Sequence, residues 1–124
     1  MQEIREVNSM KNAYGQLFEI ENMLRHYIEI NMSKCYGCHW YHSAPRLVLK
    51  RAPTKPYSNL LFHEYETYFR TYPNAFKRLQ KEFFLYLDTL YPIRNKIAHS
   101  HSLNSYEFQL LNECLEFFTR CIKE

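Results

Sequence analysis

The sequence predicts an all-α helical bundle, with about four main helices and short helices or loops in the middle. Three observations carry that expectation. Glycine occurs only twice in 124 residues, as Gly15 and Gly37, too rarely for the tight turns of hairpin-joined sheets. Apolar residues recur at helical spacing over three long stretches, so each stretch has one apolar face. Helices of that kind bury their faces most simply against one another.

The first stretch runs from about Met10 to Met32, with Tyr14, Leu17, Phe18, Leu24, Ile28 and Met32 on one face. Glu21 lies four residues after Leu17 and four before Arg25. That spacing fits an ordinary i,i+4 ion pair, and it also fits a polar cluster turned toward a site. In the segment 33–72, Ser43-Ala44-Pro45 has the form of an N-cap with proline in the first turn, opening a short helix to about Arg51. Pro53 and Pro56 then interrupt the chain. The aromatic-rich run Leu60 to Tyr72 fits a helix or an extended segment, and a helix is the expectation.

From Asn74, read as a cap, the residues Phe76, Leu79, Phe83, Leu87 and Leu90 form a helical stripe. Pro92 has no N–H to donate, so it must kink or restart this helix. A last helix is expected from about Ser105 to Lys123. Asn104 and Glu107 have capping-box spacing, and Leu110, Leu111, Cys114, Leu115, Phe118, Cys121 and Ile122 make its buried face.

The length suits one domain, 1–124, with a single core. A composition of 46% hydrophobic and 23% charged residues excludes a disordered chain. No apolar run approaches the ~20 residues of a membrane span, and the acidic start lacks a signal peptide's apolar stretch. A cytoplasmic protein with no membrane association is therefore expected, its cysteines Cys35, Cys38, Cys114 and Cys121 reduced. The net charge of +3 is unevenly placed: no acidic residue lies between Glu29 and Glu64, while Lys34, Arg46, Lys50, Arg51 and Lys55 do. Such a segment is either a polyanion-binding surface or a solvated basic loop.

The informative stretch is Tyr91-Pro92-Ile93-Arg94-Asn95-Lys96-Ile97-Ala98-His99-Ser100-His101, polar and cationic between two apolar helices. Asn95 and His99 are four apart and share a helical face, with Arg94 adjacent. A guanidinium, an amide and a titratable imidazole suit a phosphate group: arginine grips its oxygens in bidentate fashion and histidine moves protons near neutral pH. Cations ending a helix also meet its dipole favourably, and on these residues alone that plainer account is the one to prefer.

Arg94-Asn95-Lys96-Ile97-Ala98-His99 resembles the R-x4–6-H motif of the HEPN superfamily, with a polar residue directly after the arginine. Phe18 to Ile28 is similar to the first helix of HEPN proteins of the abortive-infection type. Tyr36-Gly37-Cys38-His39-Trp40-Tyr41 resembles the Tyr-Gly-x-x-Trp segment that follows it, and the order of features matches from about Met10 to the C-terminus. Cys38 and His39 have no catalytic counterpart in that pattern.

The resemblance implies a metal-independent endoribonuclease without cofactors, a toxin or antiviral-defence effector that acts on RNA as a homodimer. An antitoxin or regulatory protein is the further partner it suggests. Arg94, Asn95 and His99 are the implied catalytic group, with Glu21, Arg25 and His101 as auxiliary candidates. Lys50, Arg51, Lys55 and Lys96 are candidates for RNA contact. The alternative is a non-catalytic HEPN module that binds RNA or nucleotide, or that dimerises. Cys35-Tyr36-Gly37-Cys38-His39 matches a haem-attachment pattern, but that chemistry belongs to exported proteins. Zinc on Cys35, Cys38 and His39 or His42 lacks a second ligand pair, so no metal site is expected.

Overall fold

In the computed structural model the chain is described over residues 2–53 and 62–123; Lys55, Pro56 and Leu60 lie outside the described residues. These residues form helices and no strand. The helices are α1 (Gln2–Tyr36), α2 (Trp40–Ala44) running into a π-helical turn (Pro45–Leu49), α3 (Phe62–Thr71), α4 (Lys81–Ala98) and α5 (Ser105–Lys123). The protein is an all-α helical bundle, and no described helix is long and apolar enough to cross a membrane.

The residues gather into two compact units. The first takes residues 1–23 and 80–124, and the second takes residues 24–79, so α1 contributes to both. In the first unit, Leu17 and Ile20 of α1, Phe83, Leu87 and Leu90 of α4, and Leu111, Cys114 and Phe118 of α5 are buried. Phe83 meets Phe118 edge-on at 5.2 Å, and Tyr86 stacks on Phe117 at 4.0 Å. Burial pushes the Cys114 thiol up to about 12, which leaves it a packing group without thiolate reactivity. In the second unit, Leu24, Ile28 and Met32 of α1 are buried with Tyr65, Phe69, Tyr72 and Phe76. Tyr27, Phe69 and Phe76 form a ring cluster with centroids 5.0–6.2 Å apart.

Several elements differ from the sequence expectation. Helix α1 begins eight residues before Met10 and continues to Tyr36, because charged and amide residues extend a helix beyond its apolar stripe. It ends at Gly37, whose φ of +88° suits glycine and whose N–H closes onto the Ser33 carbonyl at 2.9 Å. Tyr14 and Phe18 are 63% and 64% exposed; the buried face instead follows Ala13, Leu17, Ile20 and Leu24. Ser43 is no N-cap, since α2 has already started at Trp40 and Pro45 opens the π-helical turn.

Asn74 is not a cap either. Residues 72–79 form a series of turns, and α4 starts at Lys81 after an extended Gln80. The stripe had joined two cores: Phe76 packs in the second unit and Phe83 in the first. Pro92 does not restart α4, which is helical from Lys81 to Ala98. Cys121 is exposed, because periodicity sets the side of a helix a residue occupies and not whether a neighbour covers its last turn.

Candidate active site at the end of helix α4

Asn95 and Lys96 lie in the last turn of α4 with Arg94 directly before them, and His99 is the C-cap residue of the helix with φ −97° and ψ 14°. The chain then reverses in a Schellman motif. The Ser100 N–H donates to the Ile97 carbonyl at 3.1 Å and the His101 N–H to the Lys96 carbonyl at 2.7 Å, with Ser100 at φ +59°. Glycine is the usual residue at that left-handed position. A serine there carries strain of about 1 kcal/mol. The result places two exposed imidazoles on either side of Ser100, ring centroids 6.3 Å apart.

The turn is anchored on three sides. Leu103, just beyond it in the chain, is buried. Ser102 donates its hydroxyl to the Glu6 carboxylate of α1. At the start of α5 the capping box is complete: Asn104 N–H donates to Glu107 Oε1 at 2.9 Å, and Glu107 N–H to Asn104 Oδ1 at 2.8 Å. Lys96 Nζ lies 2.7 Å from Glu107 Oε2, joining the end of α4 to the start of α5. The Lys96 hydrogen bond, then that of the Asn104 N–H, holds the Glu107 carboxyl below the ordinary carboxylate range.

Arg94 points to α1, where its Nε lies 3.6 Å from Glu21 Oε1. That distance is an ion-pair contact and is too long for a hydrogen bond. The Nε itself is buried without a hydrogen-bond acceptor. The contact is made through Nε, so it does not occupy the terminal nitrogens with which an arginine grips a phosphate. Asn95 is half-buried, and its backbone carbonyl accepts the His99 N–H at 3.0 Å.

Of the residues singled out from sequence, the first unit holds Arg94, Asn95, His99, His101, Lys96 and Glu21. Among the described residues no side-chain hydrogen bond or ion pair links Arg94, Asn95 and His99 to one another; only the backbone bond from His99 to Asn95 does. Arg25 belongs to the second unit, where its Nε and Nη2 donate to the Tyr65 hydroxyl at 3.1 and 2.9 Å. Lys50 and Arg51 are exposed in the second unit, and Lys55 lies outside the described residues. Lys96 is committed to Glu107, a pairing that the capping-box spacing pointed to only on the α5 side. Among the described residues no three His, Cys, Asp or Glu side chains are grouped to hold a metal ion; Cys35 and Cys38 are exposed thiols.

The chain matches no protein-family model, no curated protein and no solved structure.

Proposed function

We propose that this chain is a metal-independent endoribonuclease of the HEPN type, a cytoplasmic toxin or defence effector whose active form is a homodimer. The observation that carries the reading is the end of α4, where Arg94 lies five residues before an exposed His99 whose backbone closes the helix cap.

Cleavage by this route needs no metal. A neutral imidazole takes the proton of the 2′-OH as its oxygen attacks the adjacent phosphorus. The P–O5′ bond breaks, and a protonated imidazole returns a proton to the leaving oxygen. The products are a 2′,3′-cyclic phosphate and a 5′-OH. Arg94 supplies the fixed positive charge that meets the negative charge growing on the phosphoryl oxygens. Asn95 orients the phosphate or the imidazole.

Two imidazoles are required, and a two-fold dimer brings two copies of His99 together. A feature of α1 favours such pairing. Val7, Tyr14 and Phe18 are 53%, 63% and 64% exposed, and their spacing places them on one helical stripe that continues into Glu21, the partner of Arg94. A second copy seated there covers apolar surface and reaches the motif in one interface.

A second reading within the same chemistry follows from the neighbouring His101. With its ring 6.3 Å from that of His99, one chain already holds two imidazoles, and the site is then complete without a partner. Incubating purified protein with mixed RNA in EDTA, beside His99→Ala, tests the assignment. Cyclic-phosphate ends from the wild type alone support it, and equal cleavage by both proteins overturns it. Binding without cleavage by either protein favours the non-catalytic module.

A further inference from the structure

The second unit is strongly basic. Residues 24–79 hold nine lysines and arginines against three glutamates, a formal charge of +6, and no carboxylate side chain lies between Glu29 and Glu64. Within that stretch the π-helical turn Pro45–Leu49 runs on into Lys50 and Arg51. Every residue from Arg46 to Ala52 is exposed. Three in succession are aliphatic: Leu47, Val48 and Leu49 are 63%, 41% and 39% exposed. Among the described residues no ion pair engages Arg46, Lys50 or Arg51.

The turn is held in this form. Pro45 is buried where it starts, and the N–H groups of Lys50 and Arg51 both return to the Pro45 carbonyl, the latter at 3.3 Å. Lys50 closes the turn at φ +59°, a left-handed conformation that is strained for lysine and easy for glycine. Strained backbone and π-helical turns concentrate at functional sites. Here they fix an apolar run in water with cations on both sides of it.

That combination restricts the partner. RNA would use the cations, but phosphate contacts bury no aliphatic side chain, and bases stack on aromatic rings. A partner helix needs a groove, whereas seven consecutive exposed residues form a protrusion. The interface of an anionic bilayer matches both features. Aliphatic side chains enter the acyl boundary there, and lysine and arginine heads stay among the lipid phosphates. Such docking is peripheral and requires no membrane-spanning helix.

We propose that the turn from Arg46 to Arg51 docks on an anionic lipid bilayer, with Leu47 and Val48 in the acyl boundary and Arg46, Lys50 and Arg51 on the lipid phosphates. The surface lies outside the end of α4 and does not depend on RNA cleavage. Each cation close to an anionic leaflet strengthens binding about fivefold, so three together give roughly a hundredfold. The aliphatic side chains add affinity that salt does not screen.

Flotation with vesicles tests the proposal. Phosphatidylglycerol mixed with phosphatidylcholine is expected to carry the wild type up the gradient, and phosphatidylcholine alone to leave it behind. Leu47→Gln removes an aliphatic chain at an exposed position without changing charge. It is expected to bind roughly tenfold more weakly and to lose the rise in surface pressure that the wild type gives beneath a phosphatidylglycerol monolayer. Arg46→Ala with Arg51→Ala is expected to bind roughly twentyfold or more weakly. Circular dichroism checks that both variants fold. His99→Ala is expected to float as the wild type does, so a failed nuclease assay leaves this result standing. A wild type that floats with neither vesicle overturns the proposal, as does a Leu47→Gln variant that floats and raises the pressure unchanged. Single-stranded RNA bound more weakly by the arginine variant, with no flotation of the wild type, assigns the cations to RNA and also overturns it.

Discussion

The imidazole rings of His99 and His101 lie on either side of Ser100 with centroids 6.3 Å apart and planes inclined at 48°. Both rings are exposed, but only His99 belongs to the helix cap. If His99 is the acid/base of RNA cleavage, His99→Ala is expected to lower the rate by roughly 10²–10⁴-fold with the fold intact. With the second imidazole supplied by a partner's His99, His101→Ala costs much less. Single-turnover rates decide: a His101→Ala loss as large as that of His99→Ala moves the second proton to His101 and makes the site complete in one chain.

Arg94 is held by an ion pair whose two side chains are 29% and 33% exposed. Losing such a pair costs under about 1 kcal/mol, so Arg94→Ala is expected to fold. Its cleavage is expected to fall by roughly 10²–10³-fold, the usual effect of removing a donor that stabilises transition-state charge. Arg94→Lys does not restore the rate, because an ammonium lacks the planar fork. A fully active lysine variant in the same assay contradicts the role assigned to the guanidinium.

Ser100 occupies a position that glycine fills at lower cost. Ser100→Gly removes the left-handed strain while adding freedom to the unfolded chain. The expected balance is a gain of about 0.5–1 kcal/mol, or a few degrees in Tm. Calorimetry checks it, and a lower Tm contradicts the strain. If the strained turn fixes His99 for proton transfer, the same variant also cleaves more slowly despite its greater stability.

Parts of this arrangement were legible in the sequence because they are local. Asn104 and Glu107 carry their cap in their spacing, whereas the end of α1 lay four residues beyond the apolar stripe that put it at about Met32. The start of α4 was not legible, since Phe76 and Phe83 continue one period while packing in different cores. The Schellman turn was hidden because Ser100 stands where glycine would have announced it. Glu21 beside Arg94 joins residues far apart in the chain, and spacing offered it only as half of a pair with Arg25; Arg25 instead binds Tyr65.

The Lys96–Glu107 contact has a pH signature. Glu107 is held below the ordinary carboxylate value in the folded state, so its contribution is present at neutral pH and is lost as pH falls through that lowered value. Lys96 is 43% exposed, which screens the pair to about 0.5 kcal/mol. Glu107→Gln keeps an acceptor for the Asn104 N–H and removes only the charge. Urea unfolding is expected to find the variant slightly less stable at neutral pH and equal to wild type once the carboxyl is protonated. A difference that persists unchanged in acid assigns the effect to packing.

The dimer is tested most sharply at Phe18. Its side chain is 64% exposed, so Phe18→Asp removes no core contact and is expected to leave the thermal unfolding of the isolated chain nearly unchanged. On the stripe shared with Val7, Tyr14 and Glu21, however, a carboxylate in a two-fold interface faces apolar surface and its own symmetry copy, and desolvating it there is costly. Light scattering is expected to show a dimer for the wild type and a monomer for Phe18→Asp. RNA cleavage is expected to fall with the dimer, in proportion to its concentration on dilution, because each site needs both copies of His99. A monomeric variant that still cleaves at the wild-type rate places both proton-transfer groups in one chain, with His101 at the second position.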